Sequence, residues 1–375
     1  MKLSALWGRN LSAFALPKFS VRWGMIAKTS LALSLHGMFI GFLSINQCLA
    51  EPLQELYERA KLEKGLNLYG AGPAQNYEAL ARAFEAQFPE IKVTITGGYS
   101  NELNAKIEAQ AKARNFEADI GVFQTVQDFV KWKNDGILSF FKPDGFEMID
   151  PNFKDPDGAF VALYVSTISY AYNKKEISIL DAPKSARDFL KPQFKGKLIT
   201  AYPHDDDATL YVFYNIIQKF GWDYIRDYMA QQPQFIQGHL GVARGIAAGT
   251  ALATFDATVS TVGGLKRAGQ NIEFAFSETE PTPLFFVTAG LFKGSPHPNA
   301  AKLYLTWLLA KEQQERSGFF SPRADLPPPN GLKPLSQYST VNGYREFVTD
   351  HALIHDLRTK FEALTGPVTN AGGVR

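Results

Sequence analysis

The chain has 375 residues, 45% of them hydrophobic and 20% charged, enough apolar material to bury the cores of two domains of ordinary size. Lys+Arg 39 against Asp+Glu 37 leaves a formal charge of +2, so neither the signature of a disordered chain nor the basic footprint of a nucleic-acid binder is present. A single cysteine, Cys48, excludes an intramolecular disulfide, a CxxC redox pair and a cysteine zinc site.

The N-terminal fifty residues read as a leader. Lys2, Arg9, Lys18, Arg22 and Lys28 are the charges before Glu51, and they precede an apolar run from Leu31 to Ile45 that ends in Cys48-Leu49-Ala50. A basic stretch, an apolar stretch and a small residue form the layout of a cleavable secretory signal. Ser34, His36 and Gly37 interrupt the run, which falls short of the ~20 residues of a spanning helix. Removing 1–50 takes the basic count from 39 to 34 against 37 acids and leaves a cysteine-free, slightly acidic chain. Lipidation of Cys48 is disfavoured, because bulky polar Asn46-Gln47 precede it.

Beyond the leader, strand and helix patterns alternate, giving an α/β fold class. Leu66–Tyr69 reads as a strand closed by Gly70-Ala71-Gly72-Pro73, and Tyr77, Leu80, Ala81, Phe84 and Phe88 follow at helical spacing up to Pro89. Ile91, Val93 and Ile95 alternate with polar residues as a half-buried strand does. Gly97-Gly98 then turns into a helix carrying Leu103 and Ile107, and Ala118–Phe123 is a third strand. Successive βα units predict parallel strands with ligands at their carboxyl ends, which singles out loops 70–75, 97–101 and 123–127.

Residues 141–158, rich in Pro, Asp and Gly, read as a long surface connection. An extended segment, Phe160–Tyr172, follows, and a second αβ series begins near Ser185. Its predicted strands are Leu198–Ala201, Leu252–Phe255 and Ile272–Phe276, with a helix carrying Leu210, Phe213, Tyr214 and Ile217. Phe285–Leu291 is again extended and apolar, and the helix after His297-Pro298 places Ala301, Tyr304, Leu305, Leu308 and Leu309 on one stripe.

The run GLFKGSPHPNAAKLYLTWLLAKEQQE, with FDAT at 255–258 upstream and YNKKE at 172–176, resembles the periplasmic solute-binding proteins of ABC importers, of the type containing ferric-iron, sugar-phosphate and phosphonate binders. The resemblance implies a two-lobed periplasmic binding protein (Venus-flytrap) fold, two αβ domains joined by two extended crossovers near 160–170 and 282–288. The domains it implies are 1–50 signal peptide, 51–160 plus 289–375 lobe 1, and 161–288 lobe 2. It further implies a periplasmic monomer that captures a small-molecule ligand and delivers it to an ABC permease in the inner membrane, without a cofactor, a metal or nucleic acid. The alternatives are a receptor of the same fold for a sensor kinase, and a secreted metal-dependent hydrolase.

Enzyme signatures are mostly missing: GxSxG, GxxxxGK[ST] and HExxH do not occur, and Gly70-Ala71-Gly72 lacks the third glycine of a dinucleotide fingerprint. The expected ligand contacts are Gly72, Pro73, Gln75, Gly98, Tyr99, Ser100, Gln124 and Thr125 in the first half, and His204, Asp205, Asp206, Asp256 and Thr258 in the second. Gly72, Gly98 and Ser100 precede helices whose free N–H groups suit an anion; the aspartates suit hydroxyls or a cation. Each Asp and Thr258 also stands where a helix cap is needed, and both readings remain open. The resembling ferric-binding proteins place a tyrosine pair after the strand equivalent to Leu252–Phe255; Val259-Ser260-Thr261-Val262 stands there, and Gln110 near an expected Glu, so a small organic solute is favoured over Fe(III). The sign of its charge is open, with Arg244 and His239 as candidate anion partners.

Overall fold

The computed structural model describes residues 53–329 and 331–369. The leader, its cut before Glu51 and Cys48 lie outside these residues.

In the first half, helix α1 (Leu53–Glu63) leads into strand β1 (Gly65–Ala71), α2 (Gln75–Gln87), β2 (Lys92–Gly98), α3 (Ser100–Ala113), β3 (Ile120–Phe123), α4 (Val126–Asn134) and the two-residue β4 (Leu138–Ser139). β1 lies between β2 and β3 and is parallel to both, with Leu68 opposite Ile95 on one side and Ile120 on the other. The βα pattern of the sequence is thus realised as a parallel sheet. Phe84, at helical spacing from Tyr77 and Phe88, is fully buried against Tyr304 and Trp307, with ring centroids 4.9 and 5.4 Å away.

The second half opens with β5 (Val161–Asn173) and continues through β6 (Ile199–Ala201), α5 (Asp207–Ala230), β7 (Gln234–Ile236), α6 (His239–Ala248), β8 (Ala253–Thr258), α7 (Val259–Arg267) and β9 (Ile272–Ala275). Here the sequence reading of a repeated βα pattern holds in part. β6 and β7 pair in parallel as a separate ribbon, whereas β8 and β9 flank β5 and run antiparallel to it. The three-residue β7 follows α5 after the turn Gln231-Gln232-Pro233 and is too short to show a period. α5 carries a break at Gly221, whose φ of 75° lies outside the range that side chains favour.

The chain then returns through β10 (Thr282–Phe292) to α8 (Pro298–Leu309), α9 (Lys311–Arg316), β11 (Thr340–Val341), α10 (Tyr344–Thr349) and α11 (His351–Thr365). The sequence predicts one apolar stripe on α8; the structure buries Ala300, Ala301 and every residue from Leu303 to Leu309. The polar positions of this helix sit at its start, where the Glu63 carboxylate of α1 accepts from Asn299 N (3.0 Å) and Ala300 N (2.8 Å). A carboxylate at these unpaired N–H groups replaces a side-chain cap and fixes α1 against α8.

The two long strands join the halves. β10 pairs with β3 through Thr288–Leu291 and with β5 through Leu284–Ala289, and β5 passes from β10 to β8 and β9 beyond Thr167. The sheet order β2-β1-β3-β10-β5-β8 therefore runs unbroken through the molecule. Register shifts at Val287/Thr288 and between Ser169 and Ala171 mark where each strand changes partner. The C-terminal helices, expected with 289–375 in the first lobe, pack on α5: Phe361 against Phe213 (5.1 Å) and Trp222 (5.5 Å), and Phe347 against Tyr211 (4.9 Å).

Glu280 secures the entry to β10. It is 5% exposed and accepts from Tyr170 Oη of β5 (2.8 Å), Ser185 Oγ (2.9 Å), Ala186 N (3.1 Å) and Thr279 Oγ1 (2.7 Å). Burial pushes its carboxyl up, and these donors together with Ser277 outweigh burial and hold it below the ordinary range. A depressed carboxyl stabilises the fold above its unfolded value near pH ~4 and loses that contribution as pH falls through the folded value. We expect Glu280→Gln to cost about 1–3 kcal/mol at pH 7, the worth of hydrogen bonds to a charged group. Its thermal midpoint should also fall less steeply in acid than that of the wild type, and equal acid sensitivity in the two proteins would count against the assignment.

Candidate functional site

The loops expected to hold a ligand in the first half are partly closed on themselves. Gly72 N donates to Gly98 O (2.7 Å) and Gly98 N to Gly72 O (2.9 Å), so neither amide is free for an anion, contrary to the sequence expectation. A Cβ on Gly97 would stand 2.4 Å from Ala74 N, which explains why the approach needs glycine. Pro73, Gln75, Tyr99 and Gln124 are exposed on the surface, and Ser100 opens α3 without a side-chain cap. Thr125 Oγ1 donates to Asp128 (2.5 Å). Gln110 bonds Tyr69 Oη (3.0 Å) and Glu117 N (3.0 Å), a role in packing α3 on the sheet.

In the second half the expected residues form a buried network. Asp256, at the end of β8, is fully buried, and its carboxylate accepts from Thr200 Oγ1 (3.0 Å), Ala201 N (3.0 Å) and Thr209 Oγ1 (3.1 Å). His239 Nε2 lies 3.0 Å from the other Asp256 oxygen. No lone pair faces solvent, so the expected ligand contact at Asp256 is corrected to a structural one. Asp206 caps α5 by accepting from Thr209 N (2.9 Å), and Asp205 receives Gln237 Nε2 (3.0 Å) at the surface. His204 Nδ1 is 3.4 Å from Thr365 Oγ1, turned toward α11. Thr258 caps α7 through Thr261 N (3.3 Å). Asp206 and Thr258 thus serve as helix caps, while Asp205, Asp256 and His204 bond elsewhere within the protein. Among the described residues, no group of three or more His, Cys, Asp or Glu side chains is placed to hold a metal ion. Arg244 is exposed on α6.

The charge at the mouth of α5 is also occupied. Asp207, at the first position of the helix, accepts from Gln127 Nε2 of α4 (3.1 Å) and Arg358 Nη2 of α11 (2.6 Å). These bonds tie the first half, the second half and the C-terminal helices together. Burial, with the nearby Glu108 and Asp207 carboxylates, raises Asp128 to about 6 against the opposing bond from Thr125.

A cavity lies elsewhere. It encloses about 890 Å³ along one face of α7, whose Val259, Ser260, Gly263, Lys266 and Arg267 recur at helical spacing. Its floor is Val165, Ser166 and Thr167 of β5, at the point where that strand changes partner. The opposite wall is the segment after α8, from Gln314 to Phe320 and from Pro327 to Pro329, with Gly331 and Leu332. Phe319 in this wall stacks on Tyr164 at 4.3 Å. None of the ligand residues read from the sequence lines it. Sequence reasoning considered Val259–Val262 only as the place where ferric-binding proteins carry tyrosines, and it had no pattern for the return segment, where it saw only a bend at Pro327-Pro328-Pro329.

Comparison with known proteins accords with this architecture. The sequence model of the bacterial extracellular solute-binding protein family matches residues 117–248. The Fe(3+)-binding periplasmic protein of Serratia marcescens is 22% identical over 272 residues, covering 69% of this chain and 77% of that protein. Among solved structures, iron-bound HitA from Pseudomonas aeruginosa superposes with a TM-score of 0.66 at 19% identity, covering 79% of this chain and 99% of that one. The periplasmic binding protein AfuA from Actinobacillus pleuropneumoniae, with fructose-6-phosphate bound, gives 0.65 at 21% identity over 80% and 99%. In class, the fold is that of the two-lobed periplasmic binding proteins, and residues 117–248 match the bacterial extracellular solute-binding protein family. Within that class its fold is shared by an iron-bound and a sugar-phosphate-bound protein.

Two titrations follow from the geometry. Burial alone would lower His239, and the Asp256 and Asp206 carboxylates outweigh it, raising the imidazole to about 9. A raised histidine contributes stability that is full below its unfolded value near ~6.5 and is lost as pH climbs through 9. The thermal midpoint of the wild type should therefore drop between pH 7 and 9.5, and His239→Gln should flatten that slope; parallel curves would refute the pairing. Asp128 has the opposite sense for a carboxyl: because its folded value of about 6 exceeds the unfolded ~4, the native state gains stability as pH falls through this window. Asp128→Asn should raise the midpoint at pH 7.5 and remove the gain between pH 6 and 4, as differential scanning calorimetry would show.

Proposed function

We propose that the chain captures a small polar solute in the 890 Å³ cavity, in the periplasm, and delivers it to the permease of an ABC importer. The observation that carries this reading is the position of the cavity. Its floor is the stretch of β5 where the strand leaves β10 for β8 and β9, so a bound solute touches the segment about which the halves turn. The family match and the fold of the compared proteins support transport over catalysis. So does the way His204, Asp206 and Asp256 are committed to caps and to a buried network.

In this reading the leader 1–50 directs export and is removed, and the mature protein works as a monomer. The crossovers near 160–170 and 282–288 act as the hinge. The first lobe contains 51–160 and 289–375 and the second 161–288; α10 packs on α4 of the first lobe as well as on α5 of the second.

Gly263 provides a direct test. A Cβ added there would make ordinary contact, 3.5 Å from Arg267 Nη1, while a longer side chain would project into the middle of the cavity face. Gly263→Leu also replaces a poor helix former by a good one. The variant should be at least as stable as the wild type and should lose the solute. Native mass spectrometry of protein released from the periplasm should show a bound small molecule on the wild type and none on Gly263→Leu. Such a solute at one hundred times its Kd adds about 2.7 kcal/mol to unfolding. Identical occupancy of the two proteins would exclude this cavity as the binding site.

A further inference from the structure

The C-terminal segment touches both halves of the molecule. After α9 the chain returns to the start of β10, where Thr282 N donates to Ser339 O (2.7 Å) and β11 pairs in parallel with Thr282 and Pro283. From there α10 packs on α4 of the first half and on α5 of the second. Its Tyr344, Phe347 and Val348 are buried, with Phe347 4.9 Å from both Tyr211 and Tyr214 of α5 and Tyr344 6.2 Å from Phe285 of β10. Tyr211 Oη also donates to Asn342 O (2.8 Å). One short helix thus meets an element of each half and a strand that joins them.

A polar junction lies between the same elements. Arg358 of α11 holds Asp207 Oδ1 at 2.6 Å and leaves Oδ2 to Gln127 of α4 at 3.1 Å, so a single carboxylate links α4, α5 and α11. Each donor side chain is only partly used: Gln127 Oε1 and Arg358 Nε are buried and have no hydrogen-bond partner among the described residues. His204 Nε2 is in the same condition, while its Nδ1 lies 3.4 Å from Thr365 Oγ1 of α11. Buried polar atoms without partners are costly, and they recover water when the surfaces separate. That recovery offsets the loss of the Gln127 bond, so the contact between α4 and Asp207 opens at modest cost. The apolar contact of Phe361 with Phe213 and Trp222 has no such compensation and keeps α11 on α5. None of the residues lining the cavity belongs to α4, α5, α10 or α11, so this junction is separate from the solute space.

We propose that residues 340–365 form a strap anchored on α5, with the junction of Gln127, Asp207 and Arg358 as its releasable latch onto α4. While latched, the strap restrains rotation of one half against the other about the crossing of β5 and β10. Once it is released, α4 and α5 move apart. Arg358 is a positioning residue, because it fixes the carboxylate that Gln127 reaches. The device goes beyond the solute-binding reading and acts without a solute.

The test compares the solute-free wild type with Gln127→Ala, which removes the latch, and Arg358→Gln, which frees its catch. Small-angle scattering should give each variant a larger radius of gyration than the wild type, with unchanged far-ultraviolet circular dichroism. Amide exchange in α4 and α10 should speed up about fivefold, the equivalent of one net hydrogen bond. Arg345→Gln, which removes an exposed ion pair with Glu346 on α10 itself, should change neither readout. The thermal midpoint is a poor guide, because Gln127→Ala removes an unpaired oxygen along with its bond. Equal radii in the wild type and both variants would overturn the inference. So would faster exchange confined to α11, the result expected if that helix merely packs on α5. Either result leaves binding in the cavity, tested at Gly263, untouched.

Discussion

The pairing of β5 with β10 is the constraint on which the molecule depends. Each strand is long enough to serve two sheets in turn, and they lie antiparallel where the halves meet. Their backbone hydrogen bonds must therefore be satisfied in both halves at once. A rotation of one half against the other cannot break this ladder without leaving buried N–H and C=O groups unpaired. It has to be absorbed at the places where the register already shifts, Val287/Thr288 and between Ser169 and Ala171. The irregular points thus lie within strands whose pairing is otherwise continuous, and Glu280 fixes the end of one of them by joining β10, β5 and residues 185–186 through a single buried carboxylate.

Much of this was legible because period and burial coincide in the first half. Leu66 and Leu68 face the core from β1, and Phe84, Leu103 and Ile107 recur at helical spacing on the covering helices, so strand and helix were separable residue by residue. The second half was harder. β6, β7 and β9 have three or four residues each, too few for alternation to show, and a βα pattern does not reveal that β8 and β9 run antiparallel to β5. On α8 the stripe was misleading for a different reason: α1 covers the side that a surface helix would expose, and only the Glu63 carboxylate at Asn299 and Ala300 marks that packing. The family resemblance carried the two-lobed arrangement; composition and spacing alone led no further than an α/β chain.

The candidate site was less legible, and the cause is electrostatic. Asp206, Asp207 and Asp256 are the kind of residue that marks a ligand loop, at the kind of position where ligands sit. The same carboxylates are what a helix N-terminus and a buried imidazole require. Asp206 satisfies Thr209 N, Asp207 holds Gln127 and Arg358, and Asp256 pairs with His239, so all three are consumed inside the protein. Sequence spacing cannot tell a carboxylate waiting for a ligand from one already bonded, because partners such as Gln127 and Arg358 of Asp207 lie 80 and 151 residues away along the chain. Ser166 and Arg267 carry no motif at all. They became visible only when the structure placed them on the lining of the cavity.

This distribution of charge assigns different tasks to two helix ends that look alike in sequence. At α5 the positive end is neutralised by the protein's own aspartates, which also draw in Gln127 from the first half and Arg358 from the C-terminal helix. That end holds the halves together without a solute. At α7 the cap is a neutral threonine, and the face running from Ser260 to Arg267 borders open space. A solute lying there contacts α7 in the second half, the return segment after α8, and Ser166 at the turning point of β5. A ligand shifts a conformational equilibrium only through contacts that differ between the two states. In the proposed reading, contacts to α7 and to the wall formed by residues 314–320 are of that kind, because these surfaces belong to elements on opposite sides of the strand crossing. The hydrogen bonds around Asp207 join α4, α5 and α11 without a solute, so capture at the cavity would draw on contacts distinct from those that already hold these helices together.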